Sequence, residues 1–244
     1  MKLNYKPPKI DFKHGTVILA GSGPGSKDLI TLKVLSAIKQ ADVIIYDALV
    51  NKNLLKNSKK SSIFIFAGKT KNTKACTQNE INQWMVFHAK KNRKILRLKG
   101  GDPSFFSRGS QEIKFLKKNL INYKVFSGIT ASQQAVKSSN YTFYNESGIC
   151  NFITGHKKID KKSISFDLEK IYKNEGRIFV YMGVGQIKNI SSKLQNLGMK
   201  KSTKVCIVSN TSFPYEKIIN TTLRNVEEDI FSNKISPPAI IIIN

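Results

Sequence analysis

The stretch KILRLKGGDPSFFSRG, residues 94–109, brings together residue types that a ligand site at a sheet edge requires. Ile95, Leu96 and Leu98 form an apolar run beside basic residues, as a strand does, and two glycines, an acid and a proline end it at once. Gly100 and Gly101 open a backbone path closed to residues with a Cβ, while Pro103 stops the strand, so Asp102 is expected at a strand end. Open α/β sheets bind their ligands at that place. An ordinary tight turn has the same composition, so the rest of the chain has to discriminate.

The surrounding elements alternate. TVILAGSGPG reads as a buried strand ending in a glycine-rich turn, and KDLITLKVLSAIKQ places Leu29, Leu32, Leu35, Ala37 and Ile38 near helical spacing. DVIIYD is a second strand and SIFIFAGK a third. TQNEINQWMVFHAKK is an amphipathic helix with Ile81, Trp84, Met85 and His88 on one side, and KILRLKG is a fourth strand. Such alternation implies parallel strands joined by crossover helices. Gly21, Asp47, Gly68 to Lys69 and Gly100 to Asp102 then lie along one edge of the sheet. The mixture of Ser, Gly, Asn and aromatic residues from Ser127 to Ser147 suits a domain junction. Beyond it come the strands ICNFITGH, GRIFVYMG and TKVCIVSN, a helix QIKNISSKLQNLG ending at Gly198, the candidate antiparallel strand EKIINTTL, and a last buried strand PAIIIIN. The expected organisation is a basic flexible arm at 1–14, an N-terminal α/β domain at 15–130 and a C-terminal α/β domain at 131–244. A cleft between two such α/β domains is a common place for a small-molecule site.

Composition narrows the class. The chain has 244 residues, 40% of them apolar, and a mean hydropathy of −0.27. No apolar run approaches the roughly 18–20 residues of a membrane span, and the N-terminal segment lacks the apolar core of an export signal, so a cytoplasmic protein without membrane partners is expected. Cys76, Cys150 and Cys206 are odd in number and dispersed, without a ligand-like histidine pattern, which supports neither a disulfide framework nor a metal site. His14, His88 and His156 are equally scattered and receive no chemistry. The formal net charge of +25 would attract nucleic acid, an anionic membrane or a small polycarboxylate. Arginine occurs only at 93, 97, 108, 177 and 224, and lysine lacks the planar fork suited to phosphates and bases, which argues against nucleic-acid readout. A compositional bias toward Lys, Asn and Ile accounts for the charge equally well.

Taken in order, ILAGSGPGSKDLITLKVLSAIKQADVIIYD, the Gly68–Lys69 pair, TQNEIN, LRLKGGDPSFFSRG, SGITAS, ITGHK, VYMG and PPAIII resemble the motifs of the tetrapyrrole methylases, within them the uroporphyrinogen-III C-methyltransferase group. The resemblance covers residues 15 to 244. It implies a fold of two α/β domains with the active site in the cleft between them. It also implies methyl transfer from S-adenosyl-L-methionine to uroporphyrinogen III, giving precorrin-2 for sirohaem or cobalamin, with S-adenosyl-L-homocysteine as by-product, and a homodimer. Carried over position by position, the donor contacts are Pro24, Gly100, Gly101, Asp102, Phe105, Thr130, Ala131 and Met182, with Cys206 and Thr211 standing where the family has alanine and glycine. Asp47 and Lys69 match the family's base and acid, and Arg108 matches a third partner that holds a substrate carboxylate or the GGD loop.

The chemistry fits these assignments. A sulfonium donor needs its acceptor in line with the methyl–sulfur bond, so catalysis is mostly positioning. Asp102 is suited to accept hydrogen bonds from donor hydroxyls or its amino group, as acidic residues do in dinucleotide sites. Methylation leaves the pyrrole electron-poor and a proton must later depart, which calls for a carboxylate and an ammonium near the ring. The substrate side departs from the family pattern. Ala48 and Thr70 stand where arginines follow YD and GK, Phe143 and Tyr144 replace a His-Arg pair, and Ser127 replaces a proline. Losing fixed guanidinium groups weakens oriented binding of a polycarboxylate. That leaves open a different acceptor, another precorrin or ribosomal RNA, and a non-catalytic donor- or RNA-binding protein.

Overall fold

The computed structural model describes residues 8–68, 76–155 and 168–244. It divides into two units, one ending at Thr130 and one beginning at Ala131.

In the first unit five strands, β1 (Val17–Gly21), β2 (Val43–Tyr46), β3 (Ile63–Phe66), β4 (Ile95–Lys99) and β5 (Tyr123–Phe126), form one sheet in the order β3-β2-β4-β1-β5. Every pairing in it is parallel. The reason is legible in β1 and β4, whose residues are buried throughout, as strands covered on both faces must be. One face packs against α1 (Leu32–Gln40), with Ile18, Ala20, Ile44, Leu96 and Leu98 meeting Val34, Ala37 and Ile38. The other packs against α2 (Gln78–Lys90) and α3 (Gly109–Lys118), where Leu19, Ile45 and Ile95 meet Ile81, Met85 and Leu116. Each of the Val, Leu, Ile and Met side chains among them stabilises the unit by about 1.5–3 kcal/mol on burial. Helix α2 starts at a capping box, in which Thr77 Oγ1 accepts Glu80 N–H at 3.2 Å and Glu80 Oε2 accepts Thr77 N–H at 2.6 Å. Parallel strands bring all their C-terminal ends to one edge, which is how Gly21, Asp47 and Gly100 become neighbours along it.

The stretch expected to be a loose arm is held down from residue 8 onward. Phe12 is 4% exposed in the α1-side core, Ser36 Oγ donates to Pro8 O at 2.6 Å, and Lys124 Nζ bonds Asp11 at 2.7 Å. The apolar Ile10 and Phe12, two residues apart, give this segment something to bury.

The second unit contains α4 (Ala131–Ser139), β6 (Cys150–Thr154), α5 (Leu168–Lys173), β7 (Arg177–Tyr181), α6 (Ile187–Asn196), β8 (Lys204–Ser209), β9 (Lys217–Thr222), α7 (Val226–Ser232) and β10 (Ala239–Ile243). Its sheet runs β6-β7-β10-β8-β9. Only β6 and β7 pair in parallel; β10 lies antiparallel between β7 and β8, and β9 is antiparallel to β8. The unit therefore carries a mixed sheet, and EKIINTTL supplies its antiparallel edge strand. Ile178, Val180, Ile207 and Ile241 face α6 and α7, while Phe179, Tyr181, Cys206 and Ile242 face α4.

Candidate functional site

β1, β4 and β5 end side by side, and the glycines at and just beyond their ends close the sheet mouth. A Cβ on Gly21 would lie 2.3 Å from Gly101 O and 2.8 Å from Gly128 Cα, and one on Gly128 would also lie 2.3 Å from Gly101 O. Three strand ends thus meet backbone to backbone, and a side chain there would have to displace main chain. Gly101 sits at φ +68°, where a Cβ is penalised. Gly23 and Gly101 exchange both backbone hydrogen bonds, at 3.2 and 2.8 Å. That bridge fastens the GSGPG turn onto the GGDP loop and puts Pro24 one residue beyond it.

Asp102 is 8% exposed and occupied. Its Oδ1 accepts Ser104 N–H at 2.7 Å and the Ser104 hydroxyl, and its Oδ2 accepts Gly128 N–H at 2.9 Å. The acid expected to meet a ligand is therefore also the bolt between the loops that follow β4 and β5. Phe105 N–H donates to Asp102 O at 3.2 Å, and its ring is 36% exposed. Thr130 follows two residues after Gly128 and is half-buried. Pro24, Gly100, Gly101, Asp102, Phe105 and Thr130 are accordingly all carried by loops at this one sheet edge.

Asp47 stands at the end of β2 beside the same loop. Its Oδ1 accepts Leu49 N–H at 3.1 Å and Gly100 N–H at 3.3 Å, and its Oδ2 faces Arg97 at 4.0 Å, too far for a hydrogen bond. Arg97 and Lys99 lie two apart on β4, so both point to the α2–α3 face. They are 3% exposed each and converge on Glu112 of α3, which is 0% exposed. Arg97 Nε reaches Glu112 Oε1 at 3.2 Å, and Lys99 Nζ reaches both Glu112 oxygens at 3.0 Å. Gln78 Nε2 adds a bond to Oε1 at 3.2 Å. Burial alone would push the Glu112 carboxyl up, but Arg97 and Lys99 hold it below its ordinary value. Burial lowers the Lys99 ammonium, aided by Arg97 and opposed by Glu112. Sequence reasoning missed this network. Its signal is two cations at i and i+2 inside the apolar strand ILRLK, which requires a buried anion.

Lys69, the expected acid, lies outside the described residues, as do Thr70 and His156. Arg108 is exposed, at φ +61°, where it caps α3 without a side-chain hydrogen bond. Gly109 follows it because a Cβ there would lie 2.4 Å from Pro103 O.

In the second unit Ala131 opens α4, whose Ser132 N–H donates to Tyr181 Oη at 3.2 Å while that hydroxyl donates to Ser132 Oγ at 2.7 Å. Met182, just past β7, is 48% exposed and adopts φ +51°. Packing restricts its surroundings, since a Cβ on Gly155 would lie 2.6 Å from Met182 O. Cys206 is 0% exposed inside β8, and burial raises its thiol pKa to about 11. Its side chain packs in the core against the α4 side of the sheet. Thr211 follows β8 at 6% exposure, and its Oγ1 is buried without a hydrogen-bond partner among the described residues. Of the departures, Ala48 is exposed, and Phe143 is turned into an aromatic cluster, 5.4 Å from Phe179 and 6.1 Å from Phe152 between ring centroids.

Comparison with known proteins gives the same pattern a family. A uroporphyrinogen-III C-methyltransferase of Methanocaldococcus jannaschii is 38% identical over 232 residues, covering 94% of this chain and 95% of its own. A siroheme synthase of Ruthia magnifica is 35% identical over 94% of this chain, which spans only about half, 48%, of that protein. A crystal structure of uroporphyrin-III C-methyltransferase from Thermus thermophilus, complexed with S-adenyl homocysteine, matches at a TM-score of 0.76 and 28% identity over 94% of this chain and 92% of its own. With residues 16–227 also matching the family model of the tetrapyrrole (corrin/porphyrin) methylases, the chain belongs to that family.

Proposed function

We propose that the protein is an S-adenosyl-L-methionine-dependent C-methyltransferase acting on uroporphyrinogen III, with precorrin-2 as product. The observation that carries this reading is the glycine-lined sheet mouth. Gly21, Gly101 and Gly128 pack main chain on main chain, which leaves backbone rather than side chains at the surface a nucleoside would approach. Pro24, Gly100, Gly101, Asp102, Phe105 and Thr130 are proposed as donor contacts, and the same role is proposed for Ala131, Met182 and Thr211. The unpartnered Thr211 hydroxyl fits a polar ligand atom, because a buried hydroxyl without a partner costs about 1–3 kcal/mol. When bound, the donor supplies an electrophilic methyl group.

The chain's own residues handle position and protons. Two backbone N–H groups immobilise Asp47 Oδ1, so Oδ2 is the oxygen presented as base to the proton that leaves the methylated ring. Lys69 is proposed as the acid partner and Arg108 as the exposed cation that meets a substrate carboxylate. Incubating the protein anaerobically with S-adenosyl-L-methionine and uroporphyrinogen III is expected to yield a twice-methylated product by mass spectrometry. Unchanged tetrapyrrole after full incubation would contradict the proposal.

Ala48 and Phe143 favour one second reading, a methyltransferase for a different reduced tetrapyrrole, because neither supplies the guanidinium that a substrate carboxylate would meet. Methylation of another precorrin in the same assay, with uroporphyrinogen III left untouched, would select it. We further propose a homodimer in the cytoplasm; light scattering giving twice the 27.4 kDa chain mass is the expected result for its assembly.

A further inference from the structure

Two carboxylates lie beside Arg97, and among the described residues only Glu112 is bonded to it. Arg97 Nε is taken by Glu112 at 3.2 Å, and its NH1 by the carbonyls of Ile45 and Leu98 at 3.4 and 3.2 Å. Its NH2 is left 4.0 Å from Asp47 Oδ2. Arginine and carboxylate frequently pair through a two-bond fork. Here Nε is engaged by Glu112 and NH1 by two carbonyls, which hold the guanidinium in place. Charge counting gives the same result. Arg97 and Lys99 face Glu112 in the buried layer, and Asp47 completes the balance at the mouth.

We propose that Glu112 is a positioning residue: by holding Arg97 back from Asp47, it keeps Asp47 Oδ2 clear of the guanidinium and available as the base. This rests on the methyltransferase reading, in which Asp47 takes the departing proton. Without Glu112, Arg97 has Asp47 as its remaining anion and closes on it, covering the lone pair that catalysis needs. Lys99 has no such role. Removing it leaves Glu112 bonded to Arg97 and Gln78, with Arg97 still tethered.

Two variants separate this from a purely structural network. Lys99→Met keeps Glu112 and is expected to retain kcat within about threefold. Lys99→Met/Glu112→Leu removes the buried pair and the acceptor for Arg97 Nε together, a replacement by apolar side chains that buried ion pairs often tolerate, and is expected to lose kcat by roughly 100-fold, the scale of a general base. Affinity for S-adenosyl-L-homocysteine should stay unchanged in both, so the loss appears in kcat. A crystal structure of the double variant should show Arg97 NH2 at hydrogen-bond distance from Asp47 Oδ2. That readout is independent of turnover, so it stands apart from any failure to methylate uroporphyrinogen III. A double variant as active as the unsubstituted protein, a Lys99→Met variant as impaired as the double, or an Arg97–Asp47 gap that stays open would each overturn the proposal.

Discussion

Asp102 shows how one side chain joins fold and site. Its two oxygens bind Ser104 and Gly128 from different loops, so Asp102→Asn turns an amide N–H toward the Gly128 N–H and leaves that donor without an acceptor. The expected cost is about 1–3 kcal/mol in urea unfolding, together with weaker S-adenosyl-L-homocysteine binding by calorimetry. The position of Asp102 at a strand end was legible in its Gly-Gly-Asp-Pro setting. The Gly128 partner was not, because it lies 26 residues away and becomes a neighbour only when β4 and β5 flank β1. Asp42, at the opposite end of the sheet, carries a pH prediction. Burial would raise its carboxyl, but the Lys59 hydrogen bond and the Lys94 N–H bring it below its ordinary 3.8. A lowered folded-state pKa gives stability that is present above about 3.8 and lost as pH falls through the folded value. Asp42→Asn should therefore flatten the acid limb of thermal stability measured below pH 4; an unchanged limb would assign it to other groups.

At the level of elements, the mouth depends on strands that cannot separate. Gly128→Ala places a Cβ 2.3 Å from Gly101 O, a main-chain clash expected to cost 1–3 kcal/mol or more. Gly185→Ala, with nothing within 4 Å, should stay within about 0.5 kcal/mol. Equal melting temperatures for the two would contradict the packing described. Helix α2 carries its own test: Thr77→Ala removes the capping box and should cost about 1 kcal/mol in chemical denaturation. The apolar runs of β1, β2 and β4 were readable because buried parallel strands admit little else, and β3 was readable from its IFIF run although it is a partly exposed edge strand. β5 was not named in advance, since Tyr123–Phe126 is short, carries Lys124 and is exposed at Val125, as an edge strand can be. The Arg97–Lys99–Glu112 cluster was hidden for a related reason, because its anion comes from a helix and no strand pattern announces it.

For the whole molecule, the net charge of +25 remains the feature least tied to the site. A lysine-dominated surface attracts polyanions diffusely, so any RNA binding should fall steeply between low and physiological salt while S-adenosyl-L-homocysteine affinity does not. RNA affinity that survives high salt would give the charge a role of its own. Family and donor chemistry were legible because the GSGPG, GGDP, SGIT and YMG segments each need particular backbone. The acceptor was less legible, because its recognition depends on side chains that differ here at Ala48 and Phe143. The most direct measurement is a crystal structure of the protein grown with S-adenosyl-L-homocysteine. The nucleoside is expected against the main chain of Gly100, Gly101 and Asp102; a ligand bound elsewhere, or that loop left bare at saturating concentration, would contradict the account.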